Sequence, residues 1–167
     1  DNLVKAGELL KHEVDIRIVL VGGGADRLRL ERMVQSLGLT NVVMIPRQPK
    51  DQMARILSLC DVSLVNLRDT PLFSTVIPSK IFESMAMGLP IIMAVPKGEA
   101  TGIIKDQGAG MIIPPEDPAK LATAILKLAN DGVMYEKFSQ ASYLAAGKFD
   151  RITMANDMLK HISGLMK

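Results

Sequence analysis

The chain is poor in the residues on which several classes of protein depend. Its 167 residues include a single cysteine, Cys60, and no tryptophan. An internal disulfide is therefore excluded, and this cysteine content fits a cytosolic protein. The only two histidines, His12 and His161, lie far apart in the sequence, so clustered ligands for a structural zinc ion are lacking. No Asp-x-Asp pair offers a divalent metal beside a nucleotide, and no apolar run reaches the ~20 residues that span a bilayer.

An excess of charge of one sign is also lacking. Twenty Lys and Arg residues face eighteen Asp and Glu residues, which leaves a net charge of +2. Such a balance gives no electrostatic reason to expect nucleic acid or an acidic membrane as the main partner. The first residues show neither the basic-then-apolar pattern of a signal peptide nor an initiator methionine. We therefore expect a piece of a longer polypeptide.

Short apolar runs alternate with segments of helical period along the whole chain. The runs expected as strands cover residues 16–21, 42–45, 62–65, 91–95 and 111–113. Strands separated by helices need crossover connections, which give parallel sheets covered by helices. The pattern predicts one α/β domain over residues 1–167, a Rossmann-like, doubly wound parallel sheet with helices on both faces. Ligands of such sheets bind beyond the carboxyl ends of the strands.

Two helices in the C-terminal third carry clear signals. Asp117 followed by Pro118 is a helix start, because the carboxylate caps free N–H groups and proline has no N–H at the first helical position. The last helix is expected over residues 151–166. Its apolar face, which we expect to pack across the domain, consists of Ala155, Met158, Leu159 and Ile162.

A glycine turn, Gly22, Gly23 and Gly24, follows the first strand and opens a helix. It does not complete a dinucleotide fingerprint, because Arg27 occupies the sixth position and the next strand ends without an acidic residue. Two interpretations stay open. The glycines form either a tight turn or a place where a ligand or an opposing domain approaches the backbone.

A second turn, residues 46–49, follows the second strand, and a proline fixes the backbone at each of its ends. Such a rigid loop can present amide groups to the edge of a planar base, and Arg47 can stack on the face of that base. The alternative is a solvated turn with an exposed arginine.

The longest irregular segment, residues 66–78, leads into a helix that begins near Ser79. The first turn of this helix offers free N–H groups, the Ser79 hydroxyl and the Lys80 ammonium, which together suit a phosphate. Glu83 lies one turn further on the same face and can accept hydrogen bonds from vicinal hydroxyls of a sugar. Each residue alone has a plainer interpretation, Ser79 as a cap and Glu83 as a partner of Lys80. Together, at a strand end, they predict a phosphate-plus-ribose site.

Two longer segments carry a resemblance to a known family: VIPSKIFESMAMGLPII and KGEATGIIKDQGAGMIIPPEDPAKLATAI. With the glycine turn and the turn before Pro49, they follow in order over residues 16–128. This arrangement resembles the C-terminal, donor-binding domain of retaining GT-B glycosyltransferases of family 4. It looks most like bacterial enzymes that build cell-surface polysaccharides, in particular N-acetyl-fucosaminyl transferases. The resemblance implies one half of a GT-B fold and a nucleotide-sugar donor, usually a UDP-sugar, used without a metal ion or a cofactor.

The resemblance also assigns roles to individual residues. Glu83 falls where the second Glu of the family's E-x7-E motif holds the donor ribose. Ser79 and Lys80 belong to a P-S-K variant that is expected to face the diphosphate. Gln48 falls where backbone atoms contact the base, beside Arg47. The catalytic residues stay unassigned.

One departure from the family's motif concerns the donor sugar. The first Glu of E-x7-E is replaced by Thr75, so the loop formed by Thr75, Val76 and Ile77 is expected to handle that sugar differently.

The family's basic pair, and a strand that is central to its sheet, would come before Asp1. We therefore expect the chain alone to be inactive and its sheet to be incomplete, unless chains pair or exchange strands. The implied partners are the donor and an N-terminal acceptor domain of the same polypeptide, which the last helix would reach. No nucleic acid is implied. The expected location is the cytoplasm, at the inner face of the cell membrane if the acceptor domain binds there.

Two other functions compete with the transferase. A non-catalytic nucleotide-binding regulatory domain, such as a flavodoxin-like module, has the same architecture. A sugar-nucleotide epimerase would need a set of catalytic groups such as His with Glu, and the two histidines are badly placed for one.

Overall fold

The computed structural model describes residues 1–165 and contains, within them, five short parallel strands that alternate with helices. The strands are β1 (Ile18–Val21), β2 (Val42–Ile45), β3 (Ser63–Asn66), β4 (Ile91–Ala94) and β5 (Gly110–Ile113). β1 pairs with β2, with Ile18 opposite Val42. β3, β4 and β5 form a second sheet in that order. The five predicted strands are confirmed, with ends shifted by two residues or fewer.

Nine α-helices and one 3-10 turn complete the part of the chain that the structure describes. They are α1 (Asn2–Leu9), α2 (Arg27–Ser36), α3 (Lys50–Leu57), α4 (Pro71–Ser74), α5 (Lys80–Ala86), α6 (Glu99–Gln107), α7 (Pro118–Asn130), α8 (Gly132–Ala146), the 3-10 turn Gly147–Phe149 and α9 (Arg151–Leu165). The predicted start of α7 is confirmed, since the Asp117 carboxylate accepts a hydrogen bond from the Lys120 amide at 2.9 Å.

The core lies on both sides of β4, whose four residues are fully buried. Ile92 packs in a cluster with the apolar faces of α1 and α7. Ile91 and Met93 point the other way, into a second cluster with α5, α6 and the end of α8. Alternate side chains of one strand thus enter two cores, as expected for a parallel sheet with helices on both faces.

The sheet is interrupted between β1 and β3. A cavity of about 610 Å³ is lined by Leu20 and Val21 at the end of β1, by Asn66 and Leu67 at the end of β3, and by residues 1–5. Within residues 1–165 the one ladder partner of β1 is β2, and that of β3 is β4. Within residues 1–165 this break is an interior position of the strand order, and a central strand such as the resemblance implies would fill it.

The last helix contradicts the prediction made for it. Met158, Leu159 and Ile162 are 65%, 61% and 44% exposed, and Ala155 is exposed as well. The preceding helix α8 is the one that packs on the domain, since its Ser142 hydroxyl donates to the Leu89 carbonyl at 2.8 Å. Helical period reveals an apolar face but not its partner. Met166, the last residue of the predicted range, lies outside the described residues.

Candidate functional site

The turns after the strands meet at the carboxyl edge of the sheets, where the ligand was expected. The glycine turn touches the turn after β2, because a Cβ on Gly23 would lie 3.3 Å from the Cβ of Arg47. The Arg27 guanidinium donates to the carbonyls of Gly22 at 2.6 Å and Ile45 at 2.9 Å. Arg27, which interrupts the dinucleotide fingerprint, therefore ties the ends of β1 and β2 together. Sequence reasoning missed this role.

The expected base-binding residues lie side by side but differ in what they contact. The Gln48 side-chain amide donates to the Pro46 carbonyl of its own turn at 3.0 Å. Arg47 is exposed, and within residues 1–165 its guanidinium makes neither a hydrogen bond nor an ion pair. Gln48 thus stabilises the turn, while the Arg47 guanidinium remains available to stack on a ligand.

Ser79 and Glu83, expected on one face of α5, are brought together. The Ser79 hydroxyl donates to Oε1 of Glu83 at 3.3 Å and does not cap the helix. Lys80 and Glu83 are both exposed, and within the described chain they form no ion pair with each other. The plain interpretations of Ser79 as a cap and of Glu83 as a partner of Lys80 are therefore wrong. The hydroxyl, the ammonium and the carboxylate all face solvent at the start of α5.

Fewer amide N–H groups of this first turn are free than expected. The N–H groups of Phe82 and Glu83 donate to the Ser79 carbonyl at 3.0 and 3.2 Å, and that of Ile81 donates to the Pro78 carbonyl at 3.1 Å. In the part of the chain that the structure describes, the N–H groups of Ser79 and Lys80 have no acceptor. Two amides, rather than a full turn of them, are thus free for an anion.

A buried hydroxyl fixes α5 against the sheet. Ser84 is 2% exposed, and its oxygen lies 2.6 Å from the Ser63 hydroxyl on β3 and 2.6 Å from the Lys80 carbonyl. This contact sets the distance of Lys80 and Glu83 from the strand end. The position of Ser84 next to the apolar Met85 in the sequence was the signal that could have identified this buried hydroxyl.

The expected donor-sugar loop follows α4, which the sequence did not predict. The Thr75 hydroxyl donates to the Leu72 carbonyl at 3.0 Å, so it closes the last turn of α4. Ile77 packs against the second core cluster, while Val76 is half-buried. The loop is therefore held at both of its ends.

The 610 Å³ cavity is not formed by these residues. It is lined by Gly22 and Gly24 but not by Arg47, by the donor-sugar loop or by the first turn of α5. The charges at its rim are paired with one another, because Arg29 contacts Asp1 and also Asp26, the latter at 3.2 Å, and Arg68 contacts Asp26 at 3.6 Å. The hydrogen bond from Arg29 holds the pKa of the Asp26 carboxyl below its usual range. The cavity reflects the interrupted sheet rather than an anion site.

The remaining reactive or ligating groups point to no further chemistry. Burial raises the pKa of the Cys60 thiol, which keeps it protonated and unreactive at neutral pH. Residues 1–165 contain no group of three or more His, Cys, Asp or Glu side chains that could hold a metal ion. Within the same residues, none of the helices has the length and apolar character that a membrane crossing requires.

Comparison with solved structures shows the fold. HepE from Anabaena in complex with UDP-glucose matches 98% of this chain and 44% of its own, with a TM-score of 0.77 and 21% identity. The C-terminal domain of LpcC, a group 1 glycosyl transferase from Francisella tularensis, matches 90% of this chain and 78% of its own, with a TM-score of 0.72 and 20% identity. The parallel sheets with helices on both faces are those of GT-B glycosyltransferases.

Comparison of sequences shows the family. The chain is 32% identical over 126 residues to "Probable glycosyltransferase WbjE" of Pseudomonas aeruginosa, a match that covers 75% of the chain and 31% of WbjE. The chain thus spans about a third of the length of this curated relative. The model of the family described as "Glycosyl transferases group 1" matches residues 1–145. The chain therefore belongs to the group 1 glycosyl transferases.

Proposed function

We propose that this chain is the donor-binding domain of an enzyme that transfers a sugar from a nucleotide sugar, most simply a UDP-sugar. The observation that carries the proposal is the start of α5, where Ser79, Lys80 and Glu83 face solvent beside the carboxyl ends of the strands. Family membership supports it. HepE, which has the same fold, has been solved with UDP-glucose.

Each group at the start of α5 suits one part of such a donor. The Glu83 carboxylate can accept two hydrogen bonds from the vicinal hydroxyls of a ribose, and these charge-assisted bonds are stronger than neutral ones. The Lys80 ammonium, the Ser79 hydroxyl and the two unbonded amides offer donors to a diphosphate. The exposed Arg47 guanidinium, which follows the carboxyl end of β2, offers a flat surface for the base.

The same groups provide a reason for metal-independent transfer. When the bond to the sugar breaks, the nucleoside diphosphate leaves with additional negative charge. A cation and hydrogen-bond donors already aimed at that position stabilise the transition state more than the ground state. In this proposal Lys80 supplies that charge, and the configuration at the transferred sugar is retained.

The acceptor belongs to the part of the proposal that reaches beyond this chain. We infer that an N-terminal domain of the same polypeptide binds it, that the acceptor is a growing cell-surface polysaccharide or a lipid-linked sugar, and that residues 1–167 alone are inactive. The coverage of WbjE supports a longer enzyme, since the chain spans 31% of it. A cytoplasmic enzyme that meets its acceptor at the inner face of the membrane fits this role.

Calorimetric titration of the intact polypeptide with UDP, GDP, ADP and their sugars tests the proposal. We expect UDP and a UDP-sugar to bind, and the intact polypeptide to release UDP from that sugar when acceptor is present. Absence of binding by every nucleotide would overturn the assignment of the site. Binding without any turnover would favour a regulatory nucleotide-binding domain.

A further inference from the structure

Gly98 lies directly against the backbone of Ser74. A Cβ built on Gly98 would overlap the carbonyl group of Ser74. Gly98 stands between β4 and α6, whereas Ser74 is the last residue of α4 and leads into the donor-sugar loop, residues 75–77. A side chain of any size at position 98 would have to move that backbone, so the position has room for glycine only.

The requirement at Gly98 is for space rather than for an unusual backbone conformation. Its φ of −177° and ψ of −162° are extended, and residues other than glycine also adopt extended backbone. Its position is fixed by Thr101, which is 6% exposed. The Gly98 N–H donates to the Thr101 hydroxyl oxygen at 3.1 Å, and the Thr101 hydroxyl donates to the Gly98 carbonyl at 2.7 Å. Two hydrogen bonds thus hold the Gly98 backbone at the point where it contacts Ser74.

The donor-sugar loop is consequently held between two fixed points. Ser74 rests on Gly98 at its beginning, and Ile77 packs in the second core cluster at its end. Thr75, which lies between them, stands two residues before Ile77 and four before Ser79. A movement of Ser74 would displace Thr75 while the start of α5 keeps its own contact with β3 through Ser84.

We infer that Gly98 is a positioning residue that sets where the donor-sugar loop stands, and thereby how the protein recognises the sugar of the donor apart from its nucleotide. The inference rests on the proposed function. It separates two parts of the site. Ser79, Lys80 and Glu83 bind the nucleotide, and their position depends on Ser84. The position of the donor-sugar loop depends on Gly98 and Thr101.

Gly98→Ala in the intact polypeptide tests this separation. The added methyl group must displace the Ser74 carbonyl by about an ångström or more to reach ordinary contact. We expect the ratio of the Kd for the preferred UDP-sugar to the Kd for UDP to rise about tenfold, while the Kd for UDP changes less than about twofold. Titration calorimetry with UDP, UDP-glucose and UDP-N-acetylglucosamine measures both. The matched control is Gly102→Ala in α6, the helix that follows Gly98, because a Cβ there meets no atom within 4 Å.

Thr101 supplies a second test that does not depend on the folding of the alanine variant. Thr101→Val keeps the size of the side chain but removes both hydrogen bonds to Gly98, so it should raise the same ratio of Kd values by a smaller factor. Thr101→Ser keeps the hydroxyl and should restore the wild-type ratio.

The outcomes distinguish this inference from the proposed function. If the wild type binds neither UDP nor a UDP-sugar, the proposed function fails. If the wild type binds UDP, the inference alone fails in each of three cases. It fails if the wild type does not distinguish any UDP-sugar from UDP. It also fails if the Gly98→Ala and Thr101→Val variants keep the wild-type ratio of Kd values, or if they weaken the binding of UDP and of the UDP-sugar equally.

Discussion

Side chains at the carboxyl edge divide into those that build the scaffold and those that remain available to a ligand. Arg27 and Ser84 are occupied by protein partners, Arg27 with the carbonyls of two strand ends and Ser84 with β3. Arg47, Lys80 and Glu83 are exposed. Exposed charges contribute little to stability, so Arg47, which follows β2, and Lys80 and Glu83, which follow β3, are available to a ligand without a structural role of their own.

Glu83→Gln should lower the affinity for UDP by about tenfold. The amide keeps the shape and one acceptor oxygen but loses the charge, and a charge-assisted hydrogen bond contributes roughly 1.5–3 kcal/mol, of which ~1.4 kcal/mol corresponds to one decade. Calorimetric titration of UDP and uridine into the intact wild type and variant measures the change. Since Glu83 is exposed, the midpoint of thermal unfolding should stay the same. Unchanged affinity would show that the ribose is held elsewhere.

Lys80→Ala should weaken UDP binding more than uridine binding, because the partner of the ammonium is the diphosphate. Turnover should fall together with affinity, since stabilisation of the leaving group is lost as well. Lys127→Ala on α7, another exposed lysine, is the matched control and should leave both affinities unchanged. An equal loss for UDP and uridine on Lys80→Ala would remove Lys80 from the phosphate site.

At the scale of elements, the sequence predicts the strands and helix ends that depend on neighbouring residues, but not the contacts between distant elements. Buried strands such as β4 are continuous apolar runs, and the ends of the predicted strands lie within two residues of those in the structure. The start of α7 at Asp117 and Pro118 depends on a hydrogen bond between near neighbours in the sequence. α4 was missed because four residues between Pro71 and Ser74 are too few to show a period. The partner of the apolar face of α9 could not be predicted, because the spacing of apolar residues within one helix does not indicate which distant element it contacts.

The candidate site was predictable to the same extent. Ser79 and Glu83 were placed on one face by helical spacing, and they share a hydrogen bond. The hydrogen bond from Arg27 to the Ile45 carbonyl and the contact of Gly98 with Ser74 each join two separate segments of the chain. Such contacts follow from the sheet order and the loop paths, which the sequence does not display.

The interrupted sheet gives a prediction at this scale. Edges that face each other across a cavity expose unpaired backbone groups, which bind an added strand readily. We expect a parallel strand between β1 and β3, supplied either by the intact polypeptide or by a second copy of the chain. Amide hydrogen exchange in β1 and β3 should therefore be much slower in the intact polypeptide than in residues 1–167 alone.

Mass spectrometry and size measurement of the sample decide the source of that strand. A monomer of residues 1–167 in which both edges are already protected from exchange would contradict the placement of the strand. A dimer with protected edges would instead assign the strand to a second copy.

At the scale of the whole molecule, β4 joins the two halves of the core, so helices on both faces stabilise the same strand. Ile92 faces the cluster of α1 and α7, and Ile91 and Met93 face the cluster of α5 and α6. α9 has no part in either cluster, and residues 151–164 are all exposed. The helix presents Ile152, Met158 and Leu159 to solvent, and exposed apolar side chains grouped on one helix are typical of an interaction site.

Removal of α9 should therefore affect the isolated domain and the intact polypeptide differently. A chain that ends at Asp150 keeps both core clusters, so its midpoint of urea unfolding should match that of residues 1–167, and it should be more soluble because exposed apolar side chains are lost. In the intact polypeptide the same truncation should lower the midpoint, because we expect the face formed by Met158, Leu159 and Ile162 to pack on the N-terminal domain. Substituting these three residues by serine while keeping the helix is the matched control, and it should reproduce the loss. An intact polypeptide that unfolds at the same urea concentration with and without α9 would show that the helix has no partner within its own chain.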